Sequence, residues 1–206
     1  MSSQAFTNLQ TRMRDIEQLM EAHKVLTQMQ KARKAAGNIG GNIGKISDVI
    51  ESLVTDPGKG RRKEVEPLNR SAFVLLCAHL QGFIEDLHKE AANIILAGRV
   101  NNIDNVVKQA KLGNANPHAY IIEKMFNGIG IFEVMDDIVW QKTSNKSVRK
   151  RLTDYITIRN RVAHGNQESI SKQKVVQFKD FVERLAQKLD EKINSQIKSF
   201  TGTSPW

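Results

Sequence analysis

With 206 residues, 40% of them hydrophobic but only 6% aromatic, the chain can build one sizeable core from Leu, Ile, Val and Ala; with four prolines in all, that balance favours an all-helical protein. Lys and Arg outnumber Asp and Glu by 31 to 22, a net charge of +9 that attracts polyanions, nucleic acid before an anionic membrane surface. The single cysteine, Cys77, excludes an internal disulfide, and no Cys/His grouping has zinc-ligand spacing.

The opening stretch, "MSSQAFTNLQ", is polar, and no run approaches eighteen apolar residues. Neither a signal peptide nor a membrane span is expected, which points to a cytoplasmic protein. A helix is expected over 5–34, where Phe6, Leu9, Met13, Ile16, Met20, Leu26 and Met29 keep a helical period with charges between them. So long a helix with so narrow a stripe suits a hairpin partner or a dimer contact.

A flexible Gly/Pro/basic connection is expected over 36–67. It opens with a Gly-Asn-Ile-Gly tandem in "AAGNIGGNIGK" that imitates a phosphate loop. The P-loop pattern needs Gly five residues before Gly44 and Ser or Thr after Lys45, where the chain has Ile39 and Ile46. A short helix, "ISDVIESL", and the breaker-rich loop "TDPGKGRRKEVEP" follow.

The core proper is expected over 68–197, giving one helical domain over 1–200 and a frayed tail at 201–206. Its strongest helix runs Leu68–Ala97, with Phe73, Leu76, Cys77, Leu80, Phe83, Ile84 and Leu87 on one face and Gly98 as the stop. Ile103–Lys111 reads as a short helix ended by "GNANP", and "HAYIIEKMFNGIG" and "IFEVMDDIVW" each as another. "SNKSVRKRLTDYITIRNRVAHG" starts at Ser144 or Ser147 as N-cap, buries Val148, Leu152, Tyr155 and Ile158, and stops at Gly165. The last long helix, Ser171–Ile197, buries Val175, Phe178, Val182, Leu185, Leu189 and Ile193.

The chemistry concentrates in Arg159–Gly165, "RNRVAHG". Asn160 and His164 are four apart and share a helix face; Arg161 and His164 are three apart. Arg159 and His164 are five apart, about 140° around an ideal helix, so one straight helix does not aim both at one atom. A distorted last turn, or two copies of the segment facing each other, would bring such a pair together. An imidazole then moves a proton near neutrality, a guanidinium clamps phosphate oxygens, and Asn160 orients without adding charge. Such a trio cleaves RNA without a metal because the 2′-hydroxyl is an internal nucleophile. As a helix end, the same residues would merely complement the dipole, for about 0.3–1 kcal/mol.

Upstream, Lys146, Arg149, Lys150 and Arg151 in "NKSVRKR", together with Arg161, are candidates for RNA-backbone contacts. His79 and His88 stand too far round their helix for a metal pair, His23 and His118 are isolated, and Asp136–Asp137 lack a second carboxylate cluster. No metal and no cofactor is called for.

In the form R-x4-H on the penultimate long helix of an all-helical domain, "RNRVAHG" resembles the signature of the HEPN superfamily. "SAFVLLCAHLQGFIEDLHKE" and "NPHAYIIEKMFNGIGIFEVM" resemble, in order, the second core helix and the short helix with its Gly-Ile turn in the HEPN subgroup (RiboL-PSP-HEPN, abortive-infection type) of bacterial restriction, toxin and defence loci. The likeness covers roughly residues 68–190. It implies an antiparallel helical bundle dimerising through the motif helices and a metal-independent endoribonuclease of a toxin or antiphage defence system. By the same resemblance Arg159 and His164 are the catalytic pair, Asn160 is the polar residue beside the Arg, and an antitoxin or defence-system protein is a partner. Two departures stand out. Gln81 replaces a Glu common in the subgroup, with Glu85 one turn on. Asn166 stands where members regulated by nucleotidyl transfer carry Tyr, so the resemblance does not carry that regulation over. The alternative function is a non-catalytic HEPN module that binds RNA, a nucleotide or a protein partner.

Overall fold

The computed structural model describes residues 1–37, 65–110, 112 and 115–206. Among them are helices α1 (Gln4–Gly37), α2 (Glu66–Ile95), α3 (Ile103–Ala110), α4 (Ala119–Asn127), α5 (Asn145–Ala163) and α6 (Lys172–Thr201), and no β-strand. The expected all-α bundle is therefore present. The Gly-Asn-Ile-Gly tandem, the "ISDVIESL" helix and the "GKGRR" loop lie outside the described residues.

The central helix is α2, which packs against every other helix. All seven of its predicted core positions are buried, and each large side chain among them contributes about 1.5–3 kcal/mol on leaving water. Across from it α6 buries Val175, Phe178, Val182, Leu185, Leu189 and Ile193, as its spacing requires. The motif helix α5 is seated by an aromatic cluster. Tyr155 stacks on Phe178 of α6 with ring centroids 4.3 Å apart, and Phe73 of α2 lies 6.0 Å from the same ring. Val148, Leu152 and Ile156 fill the seam below.

In α1, Ala5, Leu9, Met13 and Ile16 are buried and Leu19 and Met20 pack partly buried against the same core, whereas Val25 and Met29 are exposed, so among the described side chains the expected stripe stops short of Met29. The N-terminus of α1 is fully capped. Ser3 Oγ accepts from Phe6 N–H, Glu90 of α2 accepts from the Gln4 and Ala5 amides, and Asp190 of α6 accepts from the Ser3 amide. Two carboxylates from different helices thus occupy the positive end of the helix dipole. Farther along, Gly82 leaves room for the Arg12 guanidinium, which crosses to Asp86 at 2.8 Å.

Two expectations are corrected. "IFEVMDDIVW" is not a helix but a run of turns, with Glu133 and Asp137 at positive φ. Its apolar residues Ile131, Val134, Met135 and Ile138 have helical spacing and are all buried, so the pattern reported burial correctly and secondary structure wrongly. The turns persist because side chains supply what a helix would have supplied internally. Asn145 donates to the Met135 carbonyl, Gln196 to that of Phe132 and Lys192 to that of Asp136. Nor is the segment 201–206 frayed: α6 continues to Thr201, Gly202 caps it in the left-handed region, and Trp206 returns to the core with its carbonyl accepting from Asn194.

Candidate functional site

The motif helix begins at Ser144, whose side chain accepts from the Ser147 amide, and ends on His164. The end is a Schellman turn. Asn166 N–H donates to the Arg161 carbonyl at 2.9 Å and Gly165 N–H to the Val162 carbonyl at 3.0 Å, with Gly165 at φ +77°. His164 is the last residue before the reversal and its side chain is exposed. The sequence ties this geometry to Gly165, because the left-handed position resists any residue with a Cβ.

Arg159 occupies the opposite environment. It is half-buried, and its Nη1 donates to Asn160 Oδ1 at 3.2 Å and to Asn116 Oδ1 at 3.3 Å. Its Nε is buried without a hydrogen-bond partner among the described residues. On the core side it faces α2. Burial pushes the Cys77 thiol up to about 11, although the Arg159 charge pulls the other way, and at that value Cys77 is a packing residue rather than a nucleophile.

Asn160 is thus brought against Arg159, while His164 caps the end of the same helix, its backbone N–H donating to the Asn160 carbonyl and its side chain exposed, with no side-chain hydrogen bond among the described residues. Among the described residues no contact joins Arg159 to His164: one helix presents an anchored guanidinium and, separately, an exposed imidazole. Asn116 was not legible as a site residue. "GNANP" reads as a helix end, and its contact with Arg159 depends on tertiary packing.

The upstream cations divide. Arg149 is tied inward, to Glu123, to Asp136 at 2.5 Å and to Asn145 Oδ1 at 3.0 Å, and the two carboxylates hold its charge more firmly than usual. It is a cross-brace between α4, the 131–140 turns and α5. Lys150 pairs with Asp154 and Arg161 with Glu168, both on the surface where such pairs exchange readily. Lys146 and Arg151 are exposed with no ion pair among the described residues. On α2, Gln81 and Glu85 are neighbours at 3.5 Å. His88 is buried and Nε2-bonded to the Met125 carbonyl, and His79 is buried beside Asp15; both are packing histidines. Among the described residues no three His, Cys, Asp or Glu are placed to hold a metal, and no helix is long and apolar enough to cross a membrane.

A bundle of this kind, with R-x4-H closing its penultimate helix, falls in the HEPN class. More narrowly, the family model described as RiboL-PSP-HEPN matches residues 42–195, and the chain belongs to that family. The match takes in α2 through most of α6, begins earlier than the likeness visible in the sequence, and leaves α1 outside. Neither a curated protein nor a solved structure matches the chain. Membership supports an RNA-related or nuclease-like role and goes no further.

Proposed function

We propose that the protein is a metal-independent endoribonuclease of a prokaryotic toxin or antiphage defence system, working as a homodimer. The observation that carries this reading is the contrast within one motif. Arg159 is preset by Asn116 and Asn160, while His164 is exposed at the start of a Schellman turn. Two copies meeting across α5 supply what one helix cannot, an Arg and a His converging on one phosphate. His164 removes the 2′-hydroxyl proton and later returns one to the leaving 5′-oxygen. Arg159 steadies the charge of the phosphorane, and Asn160 holds the guanidinium in place. The products are a 2′,3′-cyclic phosphate and a 5′-hydroxyl.

The rival, a binding module without catalysis, is favoured by the half-burial of Arg159 and by the bonds already made by its Nη1. The deciding experiment is cleavage of a labelled structured RNA by the full chain in EDTA, beside Arg159→Ala and His164→Ala. Cleavage by wild type that both substitutions abolish is expected. RNA binding by all three with no cleavage hands the case to the rival.

A further inference from the structure

Beside the motif, α5 and α6 enclose a cleft of about 800 Å³, roofed by the 140–143 turn. On α5 its lining follows the helical repeat from Arg151 through Tyr155 to Arg161, some 15 Å at 1.5 Å per residue. Lys174 and Arg184 face it from α6. Four cations therefore converge on one cavity against two carboxylates, Asp154 and Asp180, and Asp154 is already paired with Lys150. Among the described residues, Arg151, Lys174 and Arg184 have no ion pair. Cations contributed by two helices to one cavity, with fewer carboxylates than cations among its lining, give it a positive field that attracts an anionic ligand.

Three of the lining side chains are aromatic: Trp140, Tyr155 and Phe181. Trp140 is partly exposed, set edge-on to Phe181 at 5.6 Å, and Tyr155 lies beside them. Guanidinium groups around a partly exposed indole suit a phosphate joined to a base, since every base offers a face for stacking. An acidic peptide would use the cations and leave the indole idle. The cleft also leads to the motif: Arg161 lines it, and the Arg161 carbonyl accepts the Asn166 amide in the turn that carries His164.

We infer that the α5–α6 cleft is a single-stranded RNA-binding site, taking phosphates on Arg151, Lys174 and Arg184 and a base on Trp140, and feeding the strand toward His164. That last clause rests on the proposed ribonuclease reading; the binding site does not. The test measures anisotropy of a labelled single-stranded RNA with the full chain carrying His164→Ala, so that no cleavage intervenes. Adding Arg151→Ala with Arg184→Ala should flatten the salt dependence, the slope of log K against log salt falling by about 1.4, or about 25-fold in affinity near 0.1 M salt. Lys89→Ala with Lys198→Ala removes equal charge from exposed sites elsewhere and should change affinity less than about twofold by the same counting. Equal losses in the two double variants would overturn the site, as would full competition by polyglutamate. Trp140→Phe should abolish an RNA-induced quench of tryptophan fluorescence, and a quench that survives it would overturn the stacking role. Should wild type fail to cleave in EDTA while binding loss stays confined to the cleft variant, the nuclease reading falls and the RNA site stands.

Discussion

Arg159 and Asn116, forty-three positions apart, are joined by a hydrogen bond of 3.3 Å from the guanidinium Nη1 to the amide oxygen. The loop before α4 thereby fixes a side chain near the end of α5. A hydrogen bond to a charged group contributes about 1.5–3 kcal/mol net, and its loss frees the guanidinium to swing. Asn116→Ala is expected to lower kcat about tenfold with KM little changed, while Tm moves by a few degrees at most. Single-turnover cleavage beside a thermal melt checks it. A parallel fall in Tm and activity would make Asn116 structural only.

How the site is read from sequence follows from this pair. Arg159, Asn160 and His164 stand out because they crowd into six positions, and a crowded motif is local information. Asn116 belongs to a loop rich in Asn and Gly, where one more polar residue carries no signal until the chain folds. The same holds for Lys174 and Arg184, which read as ordinary solvated positions of α6 and meet Arg151 only across the bundle.

Gly165 sets the exit of the motif. With φ at +77° and no neighbouring atom within 4 Å, substitution meets backbone strain rather than a clash. Gly165→Ala is expected to cost about 1 kcal/mol in urea unfolding and to loosen the Schellman turn beneath His164. Cleavage should fall further than stability does. Gly165→Asn should fall between, because Asn tolerates the left-handed region better. Full activity in the Ala variant would show that the turn does not set the imidazole.

Arg149 and Arg151, two residues apart, should behave as opposites. Arg149→Met leaves Glu123 and Asp136 facing each other without their shared cation, for a loss of about 1–2 kcal/mol. Arg151→Ala removes an exposed side chain with no ion pair among the described residues and should change stability by less than about 0.5 kcal/mol. Denaturant melts and RNA titrations on the same preparations separate the two roles. Weakened RNA binding by a folded Arg149→Met protein would contradict its assignment as a brace.

Fold and periodicity part company at 131–140 for an instructive reason. Apolar residues three and four apart signal a buried face, and a run of turns that buries Ile131, Val134, Met135 and Ile138 satisfies the same spacing. What decides between them is who satisfies the backbone. Asn145, Lys192 and Gln196 reach in from α5 and α6, so the helical bonds are not needed. In α2 and α6 no such competitor intervenes, and periodicity reads true along their length. The return of Trp206 depends on Asn194 twelve residues earlier, a contact that neither residue announces alone.

Acid should weaken the fold through His88. The imidazole is buried beside Phe126, and burial lowers its pKa from the ordinary 6.5, partly opposed by its bond to the Met125 carbonyl. Between the folded and unfolded values the unfolded chain binds more protons, so stability is full above pH 6.5 and is lost as pH falls through the folded value. His79 acts in the same direction, again through burial. Glu90 and Asp190 oppose it, because burial raises both carboxyls despite the amides they accept; their contribution is present at low pH and is lost as pH rises through the raised values. The melting temperature should therefore drop on acidification below 6.5 and flatten once these carboxyls begin to protonate. His88→Gln keeps a donor for the Met125 carbonyl and cannot titrate, so its profile below pH 6.5 should be shallower than that of wild type. Thermal melts across that range decide the matter: superimposable slopes would mean that His88 does not set the acid response.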